Sequence, residues 1–323
     1  MTTFKEIRGT AIESVSSDPT NPEEGQIWYN NTIGVLKGNL LVAAAWASGG
    51  NMGTTRRQLA GAGTQTAGLG FGGYVSSPTF SNATEEYDGS AWAAGGNLPT
   101  ARYALAGCGT QTAGLAFGGF NPGFTSSNVT SEYDGSAWGP GGNLNTARQY
   151  LSGCGTQTAG LAIGGETTVS VGNTEEYDGS TWTSNPTGLG TARQRMGGAG
   201  TQTAGLVFGG SITAVSNATE EYDGSTWTAG GNLNTSRNFL AGAGTQTAAL
   251  AFGGNIPPVS AATELYNGTS WTNSTNLTTA RSSLGGAGTQ TVGLAFGGTT
   301  GANTAATEEF TGAFLSTKKI TTS

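Results

Sequence analysis

GCGTQTAGLAFGG, residues 107–119, recurs in near-copies six times along the chain. The glycine that opens each GTQT is Gly63, Gly109, Gly155, Gly200, Gly244 or Gly288, so the intervals are 46, 46, 45, 44 and 44 residues. A fixed period of this length marks a repeat architecture, in which each unit buries its apolar face against a neighbour. Outward from GTQT, an arginine stands seven residues before each glycine: Arg56, Arg102, Arg148, Arg193, Arg237 and Arg281. Downstream come Gly-Gly, an acid-rich segment ending in an aromatic residue, a turn that is Asp-Gly in four copies and Asn267-Gly268 in the fifth, and a tryptophan. The tryptophans that keep this beat are Trp46, Trp92, Trp138, Trp182, Trp227 and Trp271.

Glycine contributes 57 of 323 residues, and long runs with apolar spacing of three and four are absent, so helix is nearly excluded. Short β-rich runs between turn signals take its place. In the second repeat, Tyr103–Gln111 and Gly114–Phe117 read as an inner hairpin turning at Thr112-Ala113. Thr130–Tyr133 reads as a third strand, Asp134-Gly135 as a hairpin turn, and Ser136–Trp138 as the start of a fourth. Small side chains suit inner strands crowded about an axis. Four strands per unit favour a propeller blade over a β-helix, whose coils repeat with a shorter period. The expectation is an all-β, six-bladed propeller with a short N-terminal extension.

Two domains follow. Residues 1–38 are an adaptor hairpin: Pro19 and Pro22 break structure, Trp28 and Tyr29 open a strand, Asn30-Asn31 turns, and Ile33–Lys37 returns. Residues 39–323 are the propeller. Five internal Tyr-to-Trp hairpins leave a sixth outer pair for the chain's two ends to make, with Leu40–Trp46 lying beside Thr307–Phe310. Such closure removes exposed strand edges. The other register, with Phe314 and Leu315 bringing a C-terminal outer strand, stays open.

Gly-Gly after a strand, a tyrosine several residues on, a tryptophan five residues later and an arginine in the next loop together resemble the kelch repeat. The resemblance covers roughly residues 40–315, with a slightly short period. The segment DPTNPEEGQIWYNNTIGVLKG, residues 18–38, joined to Gly/Thr/Asn-rich repeats, resembles bacteriophage tail-fibre and other virion appendage proteins. That resemblance implies a non-enzymatic structural protein of the virion. Residues 1–38 would dock to other virion proteins, and the propeller, in a homo-oligomer, would be displayed to a host-surface glycan or receptor. Kelch folds also occur in enzymes, so fold alone does not settle function.

The chain has no histidine. This removes histidine-dependent serine and cysteine triads, histidine metal sites and the copper site of kelch-fold radical oxidases. The glycine-rich strings lack a phosphate-loop lysine, and no cofactor or metal is expected. Charged residues are 10% with a net charge of −7, which argues against nucleic acid. No apolar run is long enough to span a bilayer, and residues 1–10 lack a signal-peptide core. Cys108 and Cys154 share a repeat position that is alanine elsewhere, and read as small buried residues.

All six repeats carry the arginine, whereas a sialidase-like carboxylate clamp needs it in only some blades; the six are read as structural. The pairs Glu85-Glu86, Glu175-Glu176, Glu220-Glu221 and Glu308-Glu309 are neighbours on a strand and point opposite ways, which spoils them as paired acids for glycoside cleavage. They read as a solvated outer edge. A hydrolase is disfavoured for want of any acid, base or nucleophile that breaks the repeat.

Variation collects between Gly-Gly and the third strand, in loops such as YVSSPTFSNAT after Gly73 and FNPGFTSSNVT after Gly119. These loops should share one face, opposite the invariant hairpin tips. Loops on a rigid scaffold carry recognition, and aromatic platforms among hydroxyls and amides suit sugar rings. The candidate ligand-binding residues are Tyr74, Phe80, Phe120, Phe124, Ile212 and Pro257. The competing reading is a self-associating propeller that builds a fibre or array.

Overall fold

A computed structural model describes residues 12–320. Among them there is no helix; seven four-stranded sheets and one two-stranded hairpin account for the regular structure. Two compact units divide the chain: Ala45–Thr311, and the residues on either side of it.

Ala45–Thr311 holds one four-stranded antiparallel sheet per repeat. In the second repeat the strands are Ala106–Gly109, Gly114–Phe117, Thr130–Tyr133 and Trp138–Pro140. The inner hairpin needs glycine at its tip. Gly109 has φ +98°, and a Cβ there would stand 2.2 Å from the carbonyl oxygen of Ala113. The first strand starts later than Tyr103 because Ala104 turns out of extended conformation at φ +53°. The fourth starts at Trp138 because the Asp134 carboxylate accepts from the N–H groups of Ser136 (2.8 Å) and Ala137 (2.7 Å), holding both in the turn.

Each sheet reaches back to the one before it. Gln111 Nε2 donates to the carbonyls of Gly68 (3.1 Å) and Tyr87 (2.8 Å), Trp138 Nε1 donates to Thr84 Oγ1 (2.8 Å), and the Tyr133 hydroxyl donates to the Glu86 carboxylate. The invariance of GTQT is thereby explained: its glutamine staples two carbonyls of the neighbouring sheet. The same bonds join first to last. Gln65 donates to Gly293 and Phe310 carbonyls, Trp92 to Thr307 Oγ1 (2.9 Å) and Tyr87 to Glu309 Oε1 (2.5 Å). The core lies between sheets, as where Leu69, Phe71, Leu105, Ala116, Tyr133 and Trp138 cluster, with the rings of Phe71 and Trp138 4.9 Å apart. This repeated arrangement of four-stranded sheets is consistent with a β-propeller.

The last sheet takes its outer strand from the start of the unit: Ala45–Ser48 pairs with Thr307–Thr311, Trp46 opposite Phe310. Leu40–Val42, expected in that strand, lies elsewhere. In the other unit Glu13–Val15, Ile27–Asn30, Val35–Val42 and Phe314–Lys319 form a sheet in that order. Ile27–Asn30 and Val35–Val42 make a hairpin, with residues 31–34 as its turn where the sequence reading turns at Asn30-Asn31 and starts the return strand at Ile33, and Leu41 stands opposite Leu315. The compact units thus divide after Ala44 and after Thr311, where the sequence reading divides the chain after residue 38 and runs the second domain to 323. With Ala45–Ser48 occupying the outer place in the sixth sheet, Phe314–Lys319 has no edge left there and pairs with Val35–Val42 instead. Trp28 is fully buried in this unit and donates to Asp18 Oδ1 (3.0 Å). Hydrogen bonds from Lys37, Asn30 and Trp28 hold the Asp18 carboxyl down at about 2. The portion of the expected adaptor in residues 1–11 lies outside the described residues.

Candidate binding face

The repeat arginine organises one end of every sheet. Arg148 is buried; its Nη1 donates to the carbonyls of Gly164 (2.7 Å) and Asn173 (2.8 Å), and its Nη2 to Glu175 Oε1 (2.9 Å). Its main chain meanwhile bonds the preceding repeat, Arg148 N to Ser127 O and Gly119 N to Arg148 O. Glu175 Oε2 accepts from Asn145 N (2.6 Å). The same ion pair recurs as Arg56–Glu85, Arg193–Glu220, Arg237–Glu264 and Arg281–Glu308. The acid pairs are therefore no solvated edge: the first acid meets this arginine, and the second meets a tyrosine of the next sheet. Repeat copies alone could not show that partner, since it lies some forty residues away.

The second repeat departs from this. Ser131 stands where the others have the carboxylate, and Pro99, which has no N–H, stands where Asn145 donates. Arg102 Nη2 reaches Ser131 Oγ (3.2 Å), and burial without a carboxylate beside it pulls Arg102 down to about 10, still charged at neutral pH. Cys108 and Cys154 are free and buried; burial pushes both thiols up, Cys154 to about 12.

Two residues after each repeat arginine stand Gln58, Ala104, Tyr150, Arg195, Phe239 and Ser283. All six have left-handed backbone, φ +53° to +62°, which costs a non-glycine residue about 1–2 kcal/mol. What offsets the strain is a closed circle of main-chain bonds of 2.7–2.9 Å, each N–H donating to the carbonyl of the equivalent residue one repeat earlier. With the apolar residue that follows each, they line an axial cavity of about 110 Å³. The backbone here repeats sixfold, and the side chains do not.

Of the residues expected to bind ligand, four converge. Tyr74, Phe80, Phe120 and Phe124 gather around Tyr103, whose ring lies 5.6 Å from Tyr74, 4.8 Å from Phe80 and 5.4 Å from Phe120. Phe124 packs on Phe80 at 5.9 Å and on Phe120 at 6.2 Å while staying 64% exposed. Ile212 and Pro257 sit on loops of the fourth and fifth repeats, outside this cluster; Ile212 is exposed. Tyr103 continues inward to Tyr150 at 6.5 Å, and Tyr150 to Phe239 at 5.7 Å, so a belt of rings runs from the outer loops to the axial mouth. Arg57 lies over Tyr74 at 4.7 Å, and Arg195 lies over both Tyr150 (4.6 Å) and Phe239 (4.8 Å).

Tyr103, Tyr150, Phe239, Arg57 and Arg195 were not among the residues the sequence reading selected. Their signal was available: the two positions after the invariant arginine read Arg-Gln, Tyr-Ala, Gln-Tyr, Gln-Arg, Asn-Phe and Ser-Ser in the six copies. Set against so constant a frame, that variation marks them out.

No protein-family model matches the chain, and a search of curated proteins found no similar one. The kelch resemblance rests on the repeat residues themselves.

Proposed function

We propose that this chain is a non-enzymatic virion appendage protein, a six-bladed kelch-like propeller whose variable face binds a host-surface glycan or receptor. The closed circle of six main-chain bonds at the axis supports six blades. The observation that carries the binding role is the ring cluster around Tyr103, built from the loops of two adjacent repeats and exposed at Phe124. A broad aromatic surface held by edge-to-face contacts is pre-organised to stack on the apolar face of a sugar ring. Docking to the particle is assigned to the terminal sheet, where exposed Leu41 and Leu315 are paired neighbours on one face and exposed Phe314 lies on the other. These exposed apolar residues also favour a second reading, self-association into a fibre or array.

A glycan array probed with the full chain tests the binding role. Glycan binding that falls about tenfold or more in Phe80→Ala and Phe124→Ala is expected, since stacked rings carry a large share of contact energy. Absence of any glycan binding, with concentration-dependent assembly in sedimentation, would favour the second reading.

A further inference from the structure

Ala45–Thr311 contains eight arginines. Six are the buried repeat arginines, whose Nη groups bond carbonyls and an acid or hydroxyl while each Nε has no partner. Arg57 and Arg195 are the other two, and both lie beside the variable loops on aromatic rings. The exposed acids are placed the other way. Asp88, Asp134, Asp178 and Asp223 occupy the turn tips of the first four repeats, at the opposite end of the strands, where Gly89 packs beside Thr66 of the neighbouring tip. Among the described residues, a chain of net charge −7 thus keeps its two least-buried guanidiniums on the face proposed to bind.

Arg195 is the better placed of the two. It reaches the axial mouth with its planar group held against the rings of Tyr150 and Phe239, and its side chain keeps 30% exposure. Its nearest acid, Glu166, is 3.9 Å away, close enough to form an ion pair but beyond hydrogen-bond reach. The Nη donors of Arg195 are therefore open to an acceptor, and further polar groups stand around the same mouth: the Gln58 amide, which donates to the Tyr150 hydroxyl at 3.5 Å, and the Ser283 hydroxyl. Glu166 weakens the positive field there without cancelling it, because a carboxylate partner at hydrogen-bond distance is what five of the six repeat arginines have and Arg195 lacks. Size decides how a ligand would enter. About 110 Å³ is well short of the ~300 Å³ at which whole small-molecule ligands are enclosed, so the mouth takes a functional group, with the remainder of the ligand lying on the ring belt outside.

We infer that the axial mouth is a carboxylate site, Arg195 being its anchor, and that the ligand class is an acidic glycan: a carboxylate on Arg195 and a sugar ring spread over Tyr150 and Tyr103. This rests on the glycan-binding reading above. Arg195 can pair with the carboxylate through two parallel N–H donors, a geometry lysine does not reproduce.

The test is a glycan array carrying carboxylate-bearing and neutral glycans of matched linkage, probed with the full parent chain and with Arg195→Gln, Arg195→Lys and Arg57→Gln. Thermal midpoints of all four are measured in parallel. The expected result is preference for the carboxylate-bearing members, a loss of about tenfold or more in Arg195→Gln, as one charge-assisted contact supplies, and a smaller loss in Arg57→Gln. Arg195→Lys keeps the charge, and so the fold around it, while binding more weakly than the parent; it serves if Arg195→Gln does not fold. Binding of neutral glycans alone, or acidic-glycan binding that neither Arg195 variant weakens, overturns the carboxylate site and leaves the glycan-binding reading standing. Binding of no glycan overturns both.

Discussion

Arg148 and Glu175 are each left with a buried, unpaired charge if the other is removed, whereas Arg102 has no such partner to strand. Arg148→Ala leaves the Glu175 carboxylate with Asn145 N–H as its remaining donor and orphans the Gly164 and Asn173 carbonyls. Breaking a buried ion pair from one side costs about 3–5 kcal/mol. Arg102→Ala orphans the Gly118 and Val129 carbonyls and the Ser131 hydroxyl, at about 1–3 kcal/mol for a lost charged donor. Denaturant unfolding should therefore rank Arg148→Ala below Arg102→Ala, and both below Phe124→Ala, whose ring is exposed. Equal midpoints for Arg148→Ala and the parent would refute the structural role, and loss of ligand with stability intact would reopen a clamp-like reading. The simultaneous change of Glu to Ser131 and of an N–H donor to Pro99 carries the same logic inside the chain: the second repeat lost the carboxylate together with the main-chain donor that served it.

Between sheets, the unit of organisation is a joint made of one glutamine, one tryptophan–threonine pair and one tyrosine–glutamate pair. Five joints use all three. In the sixth, the tyrosine position is Phe310 and the glutamate position one repeat earlier is Leu265, so donor and acceptor have been replaced together by an apolar pair. Leu265→Glu should lower the thermal midpoint, because a half-buried carboxylate would face Phe310 with no hydroxyl to accept from, and adding Phe310→Tyr should recover most of the loss. A double variant no better than Leu265→Glu would show that the two positions do not meet. The hydroxyls also set an alkaline limit. Burial, and next the hydrogen bond to glutamate, pushes Tyr87, Tyr133, Tyr177 and Tyr266 up to about 12 and Tyr222 further. A folded-state value above the unfolded value of 10 means that this stabilisation is fully present below about pH 10 and is lost as pH rises through 12. Midpoints measured from pH 8 to 12 should hold steady and then fall; a level profile up to 12 would count against the joint. Of this organisation, the sequence made the strands and turns legible, since GTQT, Gly-Gly and Asp-Gly each act within a few residues. It hid the joints, because Glu86 and Tyr133 are 47 residues apart and an acid pair on a strand looks the same whether solvent or a neighbouring sheet covers it. The axial mouth was hidden for a related reason: Tyr150, Arg195 and Phe239 lie 44 or 45 residues apart and become neighbours only when three successive repeats pack side by side.

At the scale of the molecule, closure depends on a few residues at the start of the larger unit. Trp46 packs between Phe252 and Phe310, at 5.1 Å from each, and its Nε1 donates to Thr263 Oγ1 (3.0 Å), so one side chain bridges the fifth and sixth sheets. A chain trimmed to Ala45–Thr311 loses the whole terminal sheet and no strand of the six repeat sheets, and should fold with a midpoint close to that of the full chain. A chain trimmed to residues 50–311 differs from it by five residues, yet loses Trp46 and the strand that covers Thr307–Thr311. Removing a buried tryptophan costs about 3–5 kcal/mol. The uncovered edge then presents the free N–H and C=O groups of a β-strand to any other chain. The shorter chain should melt lower and associate at concentrations where the longer one is monomeric, and a synthetic peptide spanning residues 43–50 should reverse both effects by refilling the outer place. Equal midpoints and equal monomer fractions for the two trimmed chains would mean that Ala45–Ser48 merely lies on the sixth sheet, and that the ring is held by its inner joints without help from this strand.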